Sequence, residues 1–199
     1  MATTNPRTKA ADLPAPRIPM QNEAYKSSGE DYRILGIEGS MTGTRLIFHA
    51  TGERTGGMVV LYEVHWQPGD ASEHHLHKLE DEGFYCIEGQ FTLHAPDGEM
   101  TLHPGEWGWA PRNIRHGYSV GPEGARMLCF QVPGSPLPEF FKIMADNKWA
   151  GGTEGYTGQE LVDFNRWAEG NFGFTLFDPI EYPPGQTVLD PEYRDQAGS

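Results

Sequence analysis

GDASEHHLHKLEDEGFYCIEG, residues 69–89, decides how the rest of the chain is read. It sets His75 and His77 two positions apart, places Glu82 five positions beyond His77, and closes each end with a glycine, Gly69 and Gly89. On an extended strand residues two apart share a face, so His75 and His77 project together while His74 points the other way. A short turn then brings Glu82 back on the next strand beside the two imidazoles. A third nitrogen is available from His116, at the end of GEWGWAPRNIRH. Three imidazoles and one carboxylate suit a divalent first-row ion, and four protein donors leave positions open on an octahedral metal. Such a set is built for chemistry, and four polar groups converging inside a fold without a cation would each cost a few kcal/mol, on the order of 2, in lost hydration.

These residues carry a family resemblance. Gly69, His75, His77, Glu82 and Gly89 resemble the first cupin motif at every fixed position, and Gly105, Pro111 and His116 resemble the second. Asn113 stands where that second motif usually has glycine, and Val120 where it usually has asparagine; neither change removes a ligand. With one copy of each motif the chain resembles a single-domain cupin. The resemblance implies an all-β fold, a double-stranded β-helix or jelly-roll barrel, over residues 31–135. It is flanked by an N-terminal arm over 1–30 and a short helical C-terminal extension over 136–199 that packs on the barrel.

A narrower similarity runs through TRLIFHATGERTGGMVVLYEVHWQPGD, HHLHKLEDEGFYCIEGQFTL, PGSPLPEFF and FNRWAEGNFGFTLFDP, which resemble the small bacterial cupins grouped with quercetin 2,3-dioxygenase. It implies one divalent transition metal per chain on His75, His77, Glu82 and His116, with iron, nickel, cobalt or manganese expected and copper or zinc admissible. It further implies that Glu82 takes the substrate's proton as well as ligating the metal. The expected partners are a small aromatic or enol substrate and O2, and the expected assembly is a homodimer, since cupins commonly pair through strand edges.

Composition narrows the alternatives. The chain has 199 residues, enough for one domain with extensions, and a formal charge of −13 with no cluster of lysine and arginine, which excludes a nucleic-acid binder. No apolar run approaches the length of a membrane span and the N-terminus has no signal-peptide core, so a cytoplasmic protein is expected. Two cysteines, Cys86 and Cys129, are too few for a disulfide framework and read as buried thiols. The 25 glycines and 16 prolines punctuate many short strands.

In chain order, DYRILGIEG, TRLIFHAT and GGMVVLYEVHW read as strands separated by glycine-rich turns. Met58, Val60, Tyr62 and Val64 share one face, with both faces largely apolar. In the second strand of the first motif, Gly83 to Glu88, the alternation gives Glu82, Phe84 and Cys86 the face that points at the metal, so Phe84 should line the pocket floor. Trp107 and Trp109 share a face and either form a hydrophobic seam or wall the pocket; Tyr118 shares the face of His116. Phe84, Tyr118, Tyr62 and Trp109 are therefore the candidate substrate contacts. In ARMLCFQV either Met127, Cys129 and Gln131 or Leu128 and Phe130 face inward. His49 and His65 lie at strand ends and are not expected as ligands, since the set is already full; His94 and His103 read as surface imidazoles. Beyond Pro133, LPEFFKIMADNKW and GQELVDFNRWAEG read as helices with aromatic stripes, the first built on Phe140, Phe141 and Met144 and the second on Leu161, Phe164 and Trp167 or Ala168. FGFTLFDP adds a strand or a docked tail.

The reaction expected is a metal-dependent dioxygenation that cleaves a flavonol or related polyketide-like enol with O2. An isomerase or cyclase using the metal only as a Lewis acid needs the same ligands, and a non-catalytic small-molecule receptor would use the same pocket.

Overall fold

The computed structural model describes residues 24–28, 33–37, 41–146 and 159–177. Most of the expected N-terminal arm, the glycine loop after residue 150, the side chains of Met144 and Leu161, and the tail beyond 177 lie outside the described residues. Among the described residues no helix is long and apolar enough to cross a membrane.

Among the described residues nine strands and three helices follow one another: β1 (Arg33–Ile37), β2 (Met41–Ala50), α1 (Gly52–Thr55), β3 (Val60–Trp66), β4 (His75–His77), β5 (Asp81–Ala95), β6 (Gly98–Leu102), β7 (Trp107–Ala110), β8 (Gly117–Val132), α2 (Leu137–Asp146), α3 (Gln159–Phe172) and β9 (Phe174–Leu176). All pairings are antiparallel. The main sheet has seven strands in the order β1-β2-β3-β8-β5-β6, with β7 also paired to β5. β4 and β9 form a separate two-stranded sheet.

This corrects the all-β jelly-roll barrel expected from the sequence. The fold is mixed α/β with a cupin-like arrangement, and its sheets do not close into a barrel. The reason lies in β4. Closure would require that strand to be zipped into the main sheet, but it is three residues long and one edge is taken by β9 from the C-terminal extension. Its other edge meets the segment leading into β8 through the isolated bridge between His75 and His116 and the bond from Asn113 N–H to the His77 carbonyl, not through a continuous ladder.

One face of the main sheet is the core. β3 alternates strictly, with Val60, Tyr62, Val64 and Trp66 buried, so only one of its two apolar faces is packed inward. Across β8 and β5 the inward rows continue in register: Val60, Gln131 and Glu82 in one row, Tyr62, Cys129 and Phe84 in the next. The open parity of β8 is thereby settled for Met127, Cys129 and Gln131. An aromatic ladder fills the core further on, with Phe84 stacked on Phe91 at 5.2 Å, Phe91 on Tyr118 at 5.3 Å and Phe91 on Trp66 at 5.1 Å. β5 and β8 bend around this core through register shifts at Cys86/Glu88 and Gly89/Phe91. The bend needs a glycine at 89: its φ is +78°, and a Cβ there would lie 2.0 Å from the carbonyl oxygen of Gly124.

The extension docks through aromatics. Phe140 of α2 lies 4.8 Å from Phe174, 5.5 Å from Phe172 and 6.1 Å from Trp167, measured between ring centres. Phe164, Ala168 and Phe172 give α3 its buried stripe. α3 then turns at Gly173 and delivers β9 against β4, where Lys78 N–H donates to the Gly173 carbonyl and the Asn165 amide brackets the backbone of Leu176.

Candidate metal centre

His75, His77, Glu82 and His116 are brought together. One donor atom from each lies within 4.8 Å of every other, and the four side chains are buried, at 8%, 3%, 5% and 2% exposure. Strand alternation puts both β4 histidines on one side. His116 arrives through paired backbone bonds with His75, N–H to carbonyl in both directions at 2.7 and 2.8 Å. Glu82 reaches in from the start of β5. The turn ahead of His116 is pinned by Asn113, whose N–H donates to the His77 carbonyl at 2.7 Å. Asn113 has φ +63°, the left-handed conformation that glycine adopts freely and asparagine tolerates, which accounts for its place in the second motif.

The three rings are preset. Nδ1 of His75 lies 2.8 Å from the Glu73 carbonyl oxygen and Nδ1 of His116 lies 2.9 Å from that of Ile114. A carbonyl can only accept, so both Nδ1 atoms carry the proton and both Nε2 lone pairs are bare. Nδ1 of His77 faces a carboxylate instead, Glu80 Oε1 at 2.7 Å. Oε2 of Glu82 lies 3.1 Å from Nε2 of His116 and 3.2 Å from Nε2 of His77. Converging lone pairs need a positive charge among them, which tests the fit to a metal directly. Burial works against charge on His77, yet the neighbouring Glu82 and the hydrogen bond to Glu80 outweigh it and lift His77 to about 10. Burial and the imidazoles of His116 and His77 hold His75 well below its ordinary value. Burial pushes the Glu82 carboxyl up, but His77 and His116 win and keep it well below the usual carboxylate range. Without an ion the proton on His77 supplies that positive charge; a divalent transition ion, which takes imidazole in its neutral form, would displace it and fits the set of three imidazoles and one ionised carboxylate.

The other expected site residues divide. Tyr62 and Phe84 sit one row from Glu82 on the same inward face. Burial, with Glu82 next in weight, raises the Tyr62 phenol well above its ordinary value, so it stays protonated and can donate. Tyr118 lies in the aromatic ladder, stacked on Phe91 and tilted against Trp66 at 4.7 Å. Trp109 is a correction. It pairs with Gly83, the residue after Glu82, and so occupies the opposite face of the sheet; it is 38% exposed and lies 6.0 Å from Trp107, which stacks on Phe130 at 4.6 Å. Both tryptophans form an outward seam over Gly83, where an added Cβ would come 2.1 Å from the Trp107 ring.

Three residues at the site were not anticipated. Glu80 is 1% exposed and holds His77. Gln131 is fully buried, and its Nε2 donates to Glu82 Oε1 at 2.9 Å. Phe174 of β9 places its ring 5.2 Å from both His75 and His77. The signal for Glu80 was present in the run Glu80-Asp81-Glu82, in which only one carboxylate can ligate; a second buried one needs an imidazole to answer it.

Residues 62–131 match the family described as the cupin domain. Over 136 residues the chain is 32% identical to a quercetin 2,3-dioxygenase of Bacillus subtilis, an alignment covering 68% of this chain and 37% of that protein. Over 107 residues it is 32% identical to a quercetin 2,3-dioxygenase of Aspergillus japonicus, covering 50% and 30%. The chain therefore spans about a third of the length of these curated relatives, 37% and 30%. Among solved structures it is similar to the polyketide cyclase RemF of Streptomyces resistomycificus, at 24% identity and a TM-score of 0.48 over 57% of this chain and 82% of that one. It is also similar to KdgF of Halomonas sp., at 17% identity and a TM-score of 0.47 over 56% and 94%.

Proposed function

We propose, from the premise that the chain carries a cupin-superfamily domain similar to quercetin 2,3-dioxygenases, that it is a metal-dependent dioxygenase acting on a flat aromatic or polyketide-like enol. The observation that carries this reading is the convergence of three imidazole nitrogens and a Glu82 carboxylate oxygen within one buried cluster. His75, His77, Glu82 and His116 hold one divalent ion, iron, nickel, cobalt or manganese. That ion, when bound, supplies Lewis acidity toward an enol oxygen and a redox-capable centre open to O2.

The chain's own residues do the rest. Glu82 rests ionised, as an acceptor must, and its carboxylate takes the proton of the enol hydroxyl as the substrate enters. Tyr62 and Phe84 form the wall against which an aromatic ring lies flat, and Tyr62 offers a hydroxyl proton to a substrate oxygen. Phe174 closes the side of His75 and His77 and keeps bulk water off the two rings.

Oxygen uptake by protein of known metal content tests the reading. Stripped protein with quercetin should consume no O2, and reloading with iron, nickel, cobalt or manganese should restore uptake together with loss of the flavonol absorbance. Protein that binds one metal per chain and consumes no O2 with any of the four ions overturns it for flavonols.

A further inference from the structure

Glu82 is anchored from outside the cluster by a chain of hydrogen bonds whose direction can be read. The Leu137 N–H donates to Ser135 Oγ at 3.2 Å, Ser135 Oγ lies 2.8 Å from Gln131 Oε1, and Gln131 Nε2 lies 2.9 Å from Glu82 Oε1. A backbone N–H can only donate, so the Ser135 oxygen is an acceptor from that side and its proton is free to point at Gln131. The Gln131 amide is thereby oriented, oxygen toward Ser135 and nitrogen toward Glu82. Every link donates toward Glu82. The chain begins at the first residue of α2, a helix of 10 residues whose N-terminus is the positive end of its dipole. Gln131 and Ser135 are 0% and 7% exposed, so water does not substitute for any link. The two oxygens of Glu82 are therefore not equivalent: Oε1 belongs to Gln131, and Oε2 faces the imidazoles of His77 and His116.

We propose that Gln131 is a positioning residue that makes Glu82 a one-oxygen ligand. With Ser135 and the start of α2 behind it, the amide keeps Oε1 turned away, so that the carboxylate cannot close on the cation through both oxygens. This rests on the metal reading above. A chelating carboxylate would occupy one further position on the ion. Holding it to a single oxygen reserves that position for an exchangeable ligand, which a reaction uniting an enol oxygen and O2 at one centre requires and a simple binding site does not. The residue thus sets the reaction class that the centre can serve, although it touches neither substrate nor metal.

The test uses the full chain loaded with Mn2+, in which water molecules bound to the ion are counted from line broadening in oxygen-17 water. Wild type, Gln131→Leu and Ser135→Ala are compared at equal metal content, with thermal melting recorded alongside. In Gln131→Leu the freed carboxylate is expected to close on the ion, and the count should drop by about one water; Ser135→Ala, which releases the amide, should shift it the same way. A side chain that only fills space would lower the melting temperature and leave the count unchanged. Equal counts in wild type and variants overturn the positioning role while the metal site stands. If Gln131→Leu does not fold, an unchanged count in Ser135→Ala is enough to overturn it. A wild type that takes up no Mn2+ overturns the metal reading and this role with it.

Discussion

The Glu80 carboxylate lies 2.7 Å from Nδ1 of His77, and the two side chains are 1% and 3% exposed. At Nδ1 the other two histidines of the cluster answer to backbone carbonyls, whereas Nδ1 of His77 answers to a charge. A carboxylate behind a ligating imidazole fixes its tautomer and strengthens it as a donor.

Removing that carboxylate weakens the metal. Glu80→Ala is expected to lower Co2+ or Zn2+ affinity by roughly 10–100-fold. Glu80→Gln, which keeps an oxygen in reach of Nδ1 but not the charge, should fall between. Competition titration against a chromophoric chelator measures both, and wild-type affinity in Glu80→Ala would remove Glu80 from the account.

Phe174→Ala strikes the joint between the extension and β4. The ring contacts both β4 histidines and Phe140, and deleting a buried phenylalanine typically costs about 3–5 kcal/mol. Here the loss is expected first as local opening. Hydrogen exchange should accelerate in peptides covering His75–His77 and Phe174–Leu176 before it changes in β3. Uniform acceleration over the whole sheet would mean that the extension and the main sheet open as one unit.

Gly89→Ala should be damaging out of proportion to one methyl group. The left-handed backbone alone costs about 1 kcal/mol, and the Cβ would meet the Gly124 carbonyl, a backbone atom that cannot swing aside. A loss of more than about 2 kcal/mol in urea unfolding is expected. A substitution without effect would show that the β5–β8 bend yields easily.

Glu63 ties stability to pH. Burial raises its carboxyl, but the hydrogen bonds from Arg126 and His65 outweigh this and leave it below 4.5. A carboxyl lowered on folding contributes in full above its unfolded value and loses that contribution as pH falls through the folded one. The gap in urea midpoint between wild type and Glu63→Gln should therefore be open at neutral pH and close in the acid range below about 4.5. The pair is partly exposed, so the gap is worth less than about 1 kcal/mol. A gap that stayed constant down to the acid end would mean that the charge of Glu63 contributes nothing.

The four clustered residues were legible because histidines two apart on a strand and a carboxylate on the return strand leave little freedom, and the structure brings them together. Gln131 was not, because ARMLCFQV is apolar at both parities and only its cross-strand neighbours, Tyr62 opposite Cys129 and Glu82 opposite Gln131, decide which side faces in. The same ambiguity misplaced Trp109: Trp107 and Trp109 do share a face, but it is the outer one, because Gly83 lies beneath them and Glu82 does not. The closed barrel failed on a three-residue strand. No pattern in His75–His77 or Phe174–Leu176 is long enough to announce that these two segments pair with each other.

The pairing of β4 with β9 also sets a schedule. His75 finds its strand partner in Leu176, about a hundred positions later in the chain, among the slowest kinds of contact to form. While a ribosome is still threading out α3, the histidine strand has one bare edge, and two of the four donors hang on a segment held by its backbone bonds to Asn113 and His116 alone. The main sheet from β2 to β8 can condense by then. All four donors precede the extension, but the strand that carries two of them gains its second edge, and Phe174 its place against their rings, only after the extension has emerged.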